Sequence, residues 1–594
     1  MATQTADLRE TAMVALRQPS LCAAFQLTAA ANADRPALRT PDDSVSLTWR
    51  QYAERVRSIA AGLAALGVGD GDTVALLLAN RPEFHLFDTA ALHLGAAPFS
   101  VYHTNPPDLI RHLLENSDTP VLVTEQAFLE QARESRALHD GAVQLVVVDG
   151  PGADDYMTLE ELESRGNPDF DFEAAWRAVG PDHLATIVYT SGTTGPPKGV
   201  QHSHRVLMFH LNSIDRLAPI SPEGRVVSYL PMAHIAERFI SHYSSVAFGY
   251  TITCCANPKE LPKAIATTRP TRFFGVPRIY EKLRAAALGA VEADPSGPLA
   301  RALEAGIARV RAEQAGEQAP AVSEEHERTF AALREKLGLD QVEWVGVAAA
   351  PTPYAVLEFF HAIGVPVAEL WGMSECLLST SNPPARIKLG TVGTARPDTE
   401  VRISPDGEIL LRGPHVFLGY YRNPARTAET VVDGWLRTGD VGRLDADGFL
   451  TITDRMKDII ITAGGKNVTP SEIENQLKFS PFIADAVVIG DQRKFLCCLV
   501  MIDHETVAQF AQERSVPFTN FASLCRAKEV QDLIWTEIER VNRQLARVET
   551  IKTFRLIEQI LTAEDEELTP TMKLKRALVN SKYKDVIDEM YAAR

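Results

Sequence analysis

Tyr189-Thr190-Ser191-Gly192-Thr193-Thr194-Gly195-Pro196-Pro197-Lys198-Gly199-Val200 completes the apolar run that begins at Ala185, and it gathers hydroxyls, glycines and a lysine in one short span. Such a stretch reads as a loop that leaves a strand and wraps polyphosphate. Glycines let backbone N–H groups approach and point inward, hydroxyls donate to phosphate oxygens, and the lysine offsets negative charge. The Gly-x-x-x-x-Gly-Lys-[Ser/Thr] spacing of kinase and ATPase loops is absent, so a different phosphate chemistry is implied.

Upstream of the loop the pattern alternates. Thr48-Trp49-Arg50-Gln51 has capping-box spacing, and Tyr52, Val56, Ile59, Leu63 and Leu66 follow at helical intervals until Gly67 stops them. The apolar run Val74 to Leu78 reads as a strand buried on both faces, Leu86 to Leu94 as a helix, and Ala96 to Val101, Pro120 to Thr124 and Val143 to Val148 as further strands. Strand and helix alternating in this way predict a parallel sheet with covering helices.

Downstream, several stretches combine chemistry-bearing residues. Tyr229-Leu230-Pro231-Met232-Ala233-His234 ends an apolar run in a histidine, and Phe274-Gly275-Val276-Pro277-Arg278-Ile279-Tyr280-Glu281-Lys282 precedes a charged, Ala/Glu/Arg-rich stretch from Ala285 to Leu337 that reads as a solvated helical insertion. Val347-Ala348-Ala349-Ala350-Pro351 and Leu370-Trp371-Gly372-Met373-Ser374-Glu375 come next. The second places an aromatic face beside a carboxylate, a pairing suited to a nucleobase and to a hard, oxygen-preferring cation. Trp435-Leu436-Arg437-Thr438-Gly439-Asp440 ends in an acid, a side chain that can accept two hydroxyl hydrogens. Leu444-Asp445-Ala446-Asp447-Gly448-Phe449 has hairpin-turn composition, and Asp454-Arg455-Met456-Lys457-Asp458 is a charged turn.

Taken in this order, the motifs resemble those of the adenylate-forming superfamily, which includes acyl-CoA synthetases, luciferases and the adenylation domains of peptide synthetases, and among them the long-chain fatty acyl-CoA synthetases in particular. The resemblance runs from about Asp34 to Lys584. It implies an α/β fold: a large N-terminal domain (1–454) of mixed sheets with covering helices, with the helical insertion at about 285–337, and a small mobile α+β C-terminal domain (455–594). It also implies ATP-dependent activation of a carboxylic acid to an acyl-adenylate and then a CoA thioester, releasing pyrophosphate and AMP, with Mg²⁺, ATP and coenzyme A taking part.

The site residues follow from the same resemblance. Thr190, Ser191, Gly192, Thr193, Thr194, Gly195 and Lys198 would hold phosphates; Ala349, Ala350, Pro351 and Trp371 the adenine; Gly372 and Ser374 would also bind ATP; Asp440 would grip the ribose, and Arg455 the ribose or phosphate. Thr190 and Glu375 would bind Mg²⁺ and share catalysis with Lys573, which stands in Leu568-Thr569-Pro570-Thr571-Met572-Lys573-Leu574-Lys575-Arg576 and would also contact ATP. His234, Val347 and Ala348 would border the acyl pocket, Lys457 would be the hinge, and Gly464, Gly465 and Lys466 the CoA face. Ala348 stands where long-chain members have glycine, which puts the substrate's shape in question and leaves an acyl-AMP ligase, with a carrier protein or another nucleophile as acceptor, as the alternative.

In the C-terminal part, Ile459 to Thr462 reads as a strand, Gly464-Gly465 as a turn, and Thr469-Pro470-Ser471-Glu472 as a helix start with Pro first and a capping box. Ile473 and Leu477 mark a buried face, Ala486 to Ile489 and Phe495 to Ile502 strands, and Val530, Ile534, Ile538, Val541 and Leu545 a helix. Acids exceed Lys plus Arg by 77 to 60, a net charge of −17 that argues against a nucleic-acid partner. Seven cysteines without zinc spacing read as reduced core residues of a cytoplasmic protein. No signal peptide or membrane span is expected. Peripheral membrane association and a homodimer stay open.

Overall fold

The computed structural model describes residues 2–139, 141–190, 196–560 and 575–592. Ser191 to Gly195 and Lys573, expected in the site, lie outside those residues. The chain divides into two compact units, one of Met1–Arg402, Leu410–Arg437 and Asp445–Leu450, the other of Ile403–Ile409, Thr438–Leu444 and Thr451–Arg594. The architecture is α/β with several sheets in a large first unit and a smaller second one.

In the first unit the alternating pattern produces a five-stranded parallel sheet, ordered Ala97–Ser100, Thr73–Leu77, Val121–Thr124, Gln144–Val147, Met157–Thr158. Every residue of Thr73–Leu77 is buried, as expected of a strand covered on both faces. The helix Trp49–Ala65 opens with a complete capping box, Thr48 and Gln51 each satisfying the other's backbone N–H. A second five-stranded sheet, Arg272–Gly275, Trp344–Val347, Val367–Met373, Leu377–Ser381 and Thr394–Ala395, is parallel across its first three strands and antiparallel thereafter. Asp445 N–H donates to Phe449 O at 3.0 Å with Gly448 at φ 81°, which is the hairpin turn read from composition.

The charged insertion is helical, as Pro277–Ala293, Pro298–Ala315 and Glu324–Leu337. It is not solvated throughout. Ala302, Leu303, Val310, Phe330 and Leu333 are buried in one core with Tyr280, Val345, Leu357 and Phe360, because an apolar stripe at helical spacing runs beneath the charges. Gly306 belongs to that stripe: a Cβ there would meet Ala362 O at 2.8 Å.

In the second unit the strands Ile483–Ile489, Leu496–Ile502 and Ile551–Leu556 form one sheet, antiparallel then parallel. One face packs on Ile473, Leu477, Val530, Ile534, Ile538 and Val541; the other on Val579, Ile587 and Met590. The helix Lys528–Asn542 ends before Leu545, which packs beyond its end. The helix Pro470–Lys478 begins with proline, but its expected capping box does not form. Ser471 instead sends its N–H and hydroxyl to Asp454 at 3.3 and 2.7 Å, so a carboxylate from the strand Leu450–Arg455 satisfies one donor of the first turn. All seven cysteines are free and buried. Among the described residues no helix is long and apolar enough to cross a membrane.

Candidate functional site

The phosphate loop is carried by a hairpin. Leu184–Thr190 pairs antiparallel with Lys198–Ser203, and the last pair in register is Thr190 with Lys198, so the first hydroxyl and the lysine of the motif flank the loop's base. The second strand also pairs with Gly419–Tyr420, Tyr420 opposite Val200. Tyr421 N–H donates to Gly199 O at 2.7 Å and Leu418 N–H to Gln201 O at 3.0 Å, which fix that register.

This register brings Tyr420 to Glu375. The Tyr420 hydroxyl donates to Glu375 Oε1 at 2.7 Å, both residues being buried, and Lys198 Nζ lies 5.7 Å from the centre of the Tyr420 ring. Phe417 N–H donates to Glu375 O at 2.8 Å, and its ring meets Tyr420 edge-on at 5.0 Å. His202 Nε2 donates to Ser374 O at 2.7 Å; burial pulls this imidazole down to about 4, so it is neutral near pH 7. Partial burial and then Arg426 lower the Lys198 ammonium from its ordinary value, against the pull of Glu375 and Glu429. Burial first, then the Glu375 charge, raise the Tyr420 phenol well above its usual range, so it remains a donor.

Trp371 is buried, whereas Gly372 is exposed on the same strand, at an irregularity in its pairing with Leu377–Ser381. A Cβ on Gly372 would stand 1.6 Å from Leu377 O, so the turn returning from Ser374 and Glu375 passes where only glycine leaves room. Ala349 is exposed with φ 75°, the left-handed region that an alanine enters at a cost of about 1 kcal/mol or more. It follows Val347, which is buried in the sheet's core, and half-buried Ala348. Ala350 is half-buried and Pro351 exposed. His234 caps the short helix Ile235–Glu237, its Nδ1 accepting the Ala236 N–H at 3.2 Å.

Two buried carboxyls stand near these segments. Burial raises Glu237 to about 7, and it raises Glu369, two residues before Trp371, to about 8 against the Gly390 N–H that donates to its Oε2 at 2.9 Å. A carboxyl whose folded value lies above its unfolded one stabilises the fold most at low pH, and that contribution disappears as pH rises through the folded value. Stability should therefore decline between about pH 4.5 and pH 8, and Glu369→Gln should flatten the decline, raising Tm relative to wild type at pH 9 but not at pH 4. Thermal melts across that range check it; an unchanged profile in the variant would contradict the assignment.

In the second unit, Asp440 Oδ1 pairs with Arg455 Nε at 2.9 Å. Asp440 N–H donates to Thr438 Oγ1, whose hydroxyl donates to Ile409 O, and Gly439 N–H donates to Glu408 Oε1. Lys457 is exposed in the turn Met456–Asp458. Gly464, Gly465 and Lys466 form an exposed hairpin tip, with Thr462 N–H donating to Lys466 O at 3.0 Å and Gly465 at φ 74°. Arg576, three residues past Lys573, is anchored by Val488 O and the Glu474 carboxylate. Sequence reasoning missed Tyr420, since a tyrosine after a glycine in a short apolar strand carries no signal of its own.

A hairpin whose strands end at Thr190 and Lys198, a buried carboxylate hydrogen-bonded to Tyr420 beneath that lysine, and a separate smaller unit define a two-unit α/β protein. The chain belongs to the AMP-binding enzymes: the AMP-binding enzyme family matches residues 25–421, and the AMP-binding enzyme C-terminal domain residues 457–594. It is similar to a Mycobacterium tuberculosis protein that bears the name of a fatty-acid–CoA ligase, fadD11, at 40% identity over 74% of this chain and 79% of that one. It is 33% identical to the long-chain-fatty-acid–CoA ligase FadD15 of M. tuberculosis, over 92% of both chains. Its fold is that of the adenylation domain of a carboxylate reductase from Mycobacterium chelonae, with a TM-score of 0.76 at 21% identity, covering 100% of this chain and 96% of that one.

Proposed function

We propose that this protein activates a medium- or long-chain fatty acid with ATP, forming an acyl-adenylate and then an acyl-CoA thioester. The observation that carries the reading is the Glu375–Tyr420–Lys198 assembly at the base of the phosphate loop, with the names of the relatives giving the acid's class. A carboxylate and a hydroxyl are hard oxygen donors, so Glu375 and Thr190 suit magnesium, which keeps substrate phosphate oxygens among its ligands. When bound, magnesium supplies charge neutralisation on the phosphates.

The chain's own residues do the rest. The acid needs no general base, because its carboxylate is already ionised near pH 7. The loop N–H groups and hydroxyls, with Lys198, hold the departing pyrophosphate. Lys573 faces the charge that develops at the α-phosphate, a preorganised electrostatic role. Ala349 to Pro351, Trp371, Gly372 and Ser374 take the adenine, and Asp440, oriented by Arg455, the ribose hydroxyls. His234, Val347 and Ala348 border the acyl chain. In the second half, the domain that starts near Arg455 turns at Lys457, Lys573 withdraws, and the Gly464-Gly465-Lys466 tip serves coenzyme A, a hinge-type transition.

A carrier-protein acceptor is the second reading, favoured by Ala348 and by the likeness to a carboxylate reductase's adenylation domain. The protein is assigned to the cytoplasm, with peripheral contact with membranes through its fatty substrate and a homodimer as further parts of the proposal. Incubation with Mg-ATP and palmitate, with free CoA or a phosphopantetheinylated carrier protein, tests it. Palmitoyl-CoA and AMP in equal amounts support the first reading, acyl transfer to the carrier alone supports the second, and AMP from neither acceptor contradicts both.

A further inference from the structure

Glu375 is held by one side chain from a distant part of the chain. Tyr420 lies 45 positions later, and its hydroxyl takes Oε1 at 2.7 Å, while no hydrogen bond from a described residue reaches Oε2. The tyrosine's own position is fixed from three sides. Its backbone pairs with Val200 in the strand that Lys198 opens, its N–H donates to Thr427 Oγ1 at 2.9 Å, and its ring abuts Phe417, whose N–H in turn donates to the Glu375 carbonyl. A buried carboxylate without such a donor would bear an uncompensated lone pair and a choice of rotamers. Here one oxygen is occupied and the other left for a ligand, the arrangement by which outer hydrogen bonds orient a metal-binding carboxylate.

We propose that Tyr420 is a positioning residue for adenylation, its hydroxyl orienting the Glu375 carboxylate so that its second oxygen receives the magnesium of Mg-ATP. This rests on the function proposed above. Because the strand bearing Lys198 also sets the Tyr420 register, Lys198 and the support of the cation ligand are placed by one piece of backbone. The lysine above the ring and the carboxylate beyond the hydroxyl share that support.

Tyr420→Phe keeps the ring and removes only the hydroxyl. In the full chain it should slow adenylation about tenfold to a hundredfold and raise the Mg²⁺ concentration needed for half-maximal rate by a similar factor. Thioester formation from supplied acyl-adenylate and CoA should keep its wild-type rate. Independently of turnover, Mn²⁺ titrated into the enzyme with a non-hydrolysable ATP analogue, followed by electron paramagnetic resonance, should bind correspondingly more weakly. In the Glu375→Gln background, Tyr420→Phe should cost little more, since the hydroxyl acts through the carboxylate. Unchanged Mg²⁺ and Mn²⁺ dependence, additive losses, or equal losses in both half-reactions with a lowered Tm would overturn the inference. Absence of Mg-ATP-dependent adenylation in wild type would instead remove the functional reading, leaving Mn²⁺ binding to judge the positioning role alone.

Discussion

Glu375→Gln is expected to slow pyrophosphate release about a hundredfold or more while leaving Tm nearly unchanged, because it removes the negative charge but not the acceptor that Tyr420 needs. The two effects separate because the site asks two things of one side chain. As hydrogen-bond partner, Glu375 satisfies a buried phenol, and an amide oxygen does that as well. As anion, it attracts the Lys198 ammonium at the loop's base and would face the cation under the function proposed above, and an amide replaces neither interaction. Glu375→Ala should therefore match the kinetic loss and add about 1–3 kcal/mol of destabilisation from the unpartnered Tyr420 hydroxyl. Stopped-flow pyrophosphate assays and thermal melts of the two variants check this; a Gln variant with near-wild-type adenylation would contradict the role given to Glu375.

The second large effect concerns stability. Arg238 opens the π-helical turn Arg238–Tyr243, which directly follows the His234 cap and the short helix Ile235–Glu237. Its guanidinium is fully buried on Asp88, with Thr186 Oγ1 at 2.8 Å and Pro98 O at 3.2 Å as further acceptors. Asp88 also accepts from His242 Nε2 at 2.9 Å, and His242 meets His85 ring to ring. Burial pushes the Asp88 carboxyl up, but Arg238 and His242 outweigh it and hold it below its ordinary value. The stability this adds is present above the unfolded pKa and lost as pH falls through the folded one. Asp88→Ala leaves a guanidinium buried without its counter-charge and should cost about 3–5 kcal/mol, whereas Asp88→Asn with Arg238→Met should recover much of it. Chemical denaturation of the single and double variants decides; a single variant within about 1 kcal/mol of wild type would contradict the pairing. Because Thr186 sits four residues before Thr190 on the loop's strand, the clamp also ties the His234 turn to the phosphate hairpin.

Local signals carried much of the fold. Thr48 and Gln51 form their capping box within four residues, and the apolar run starting at Val74 states its burial without reference to any partner. The loop's base was equally legible, since Thr190 and Lys198 meet in adjacent strands of one hairpin. What escaped depends on distant chain. Asp88 and Arg238 are 150 positions apart, and Tyr420 reaches Glu375 only through a third strand's register. At Thr469 the box does not form, and the first turn is served instead by Asp454, which accepts from Ser471 across a sequence gap that local spacing does not reveal. The insertion's charges are visible in composition, while its buried stripe shows only once a core exists to receive it. Ala349's positive φ has no sequence signal, because alanine does not announce a left-handed backbone.

The most direct measurement is pyrophosphate release with Mg-ATP across carboxylic acids of graded length and aromaticity, with and without CoA, in wild type and Lys573→Ala. Release should peak with medium- or long-chain fatty acids, turn over repeatedly only with CoA, and fall about a hundredfold or more in the variant, whose thioester formation from supplied acyl-adenylate should persist. Release confined to short or aromatic acids, or indifferent to CoA and to Lys573, would contradict the proposed function.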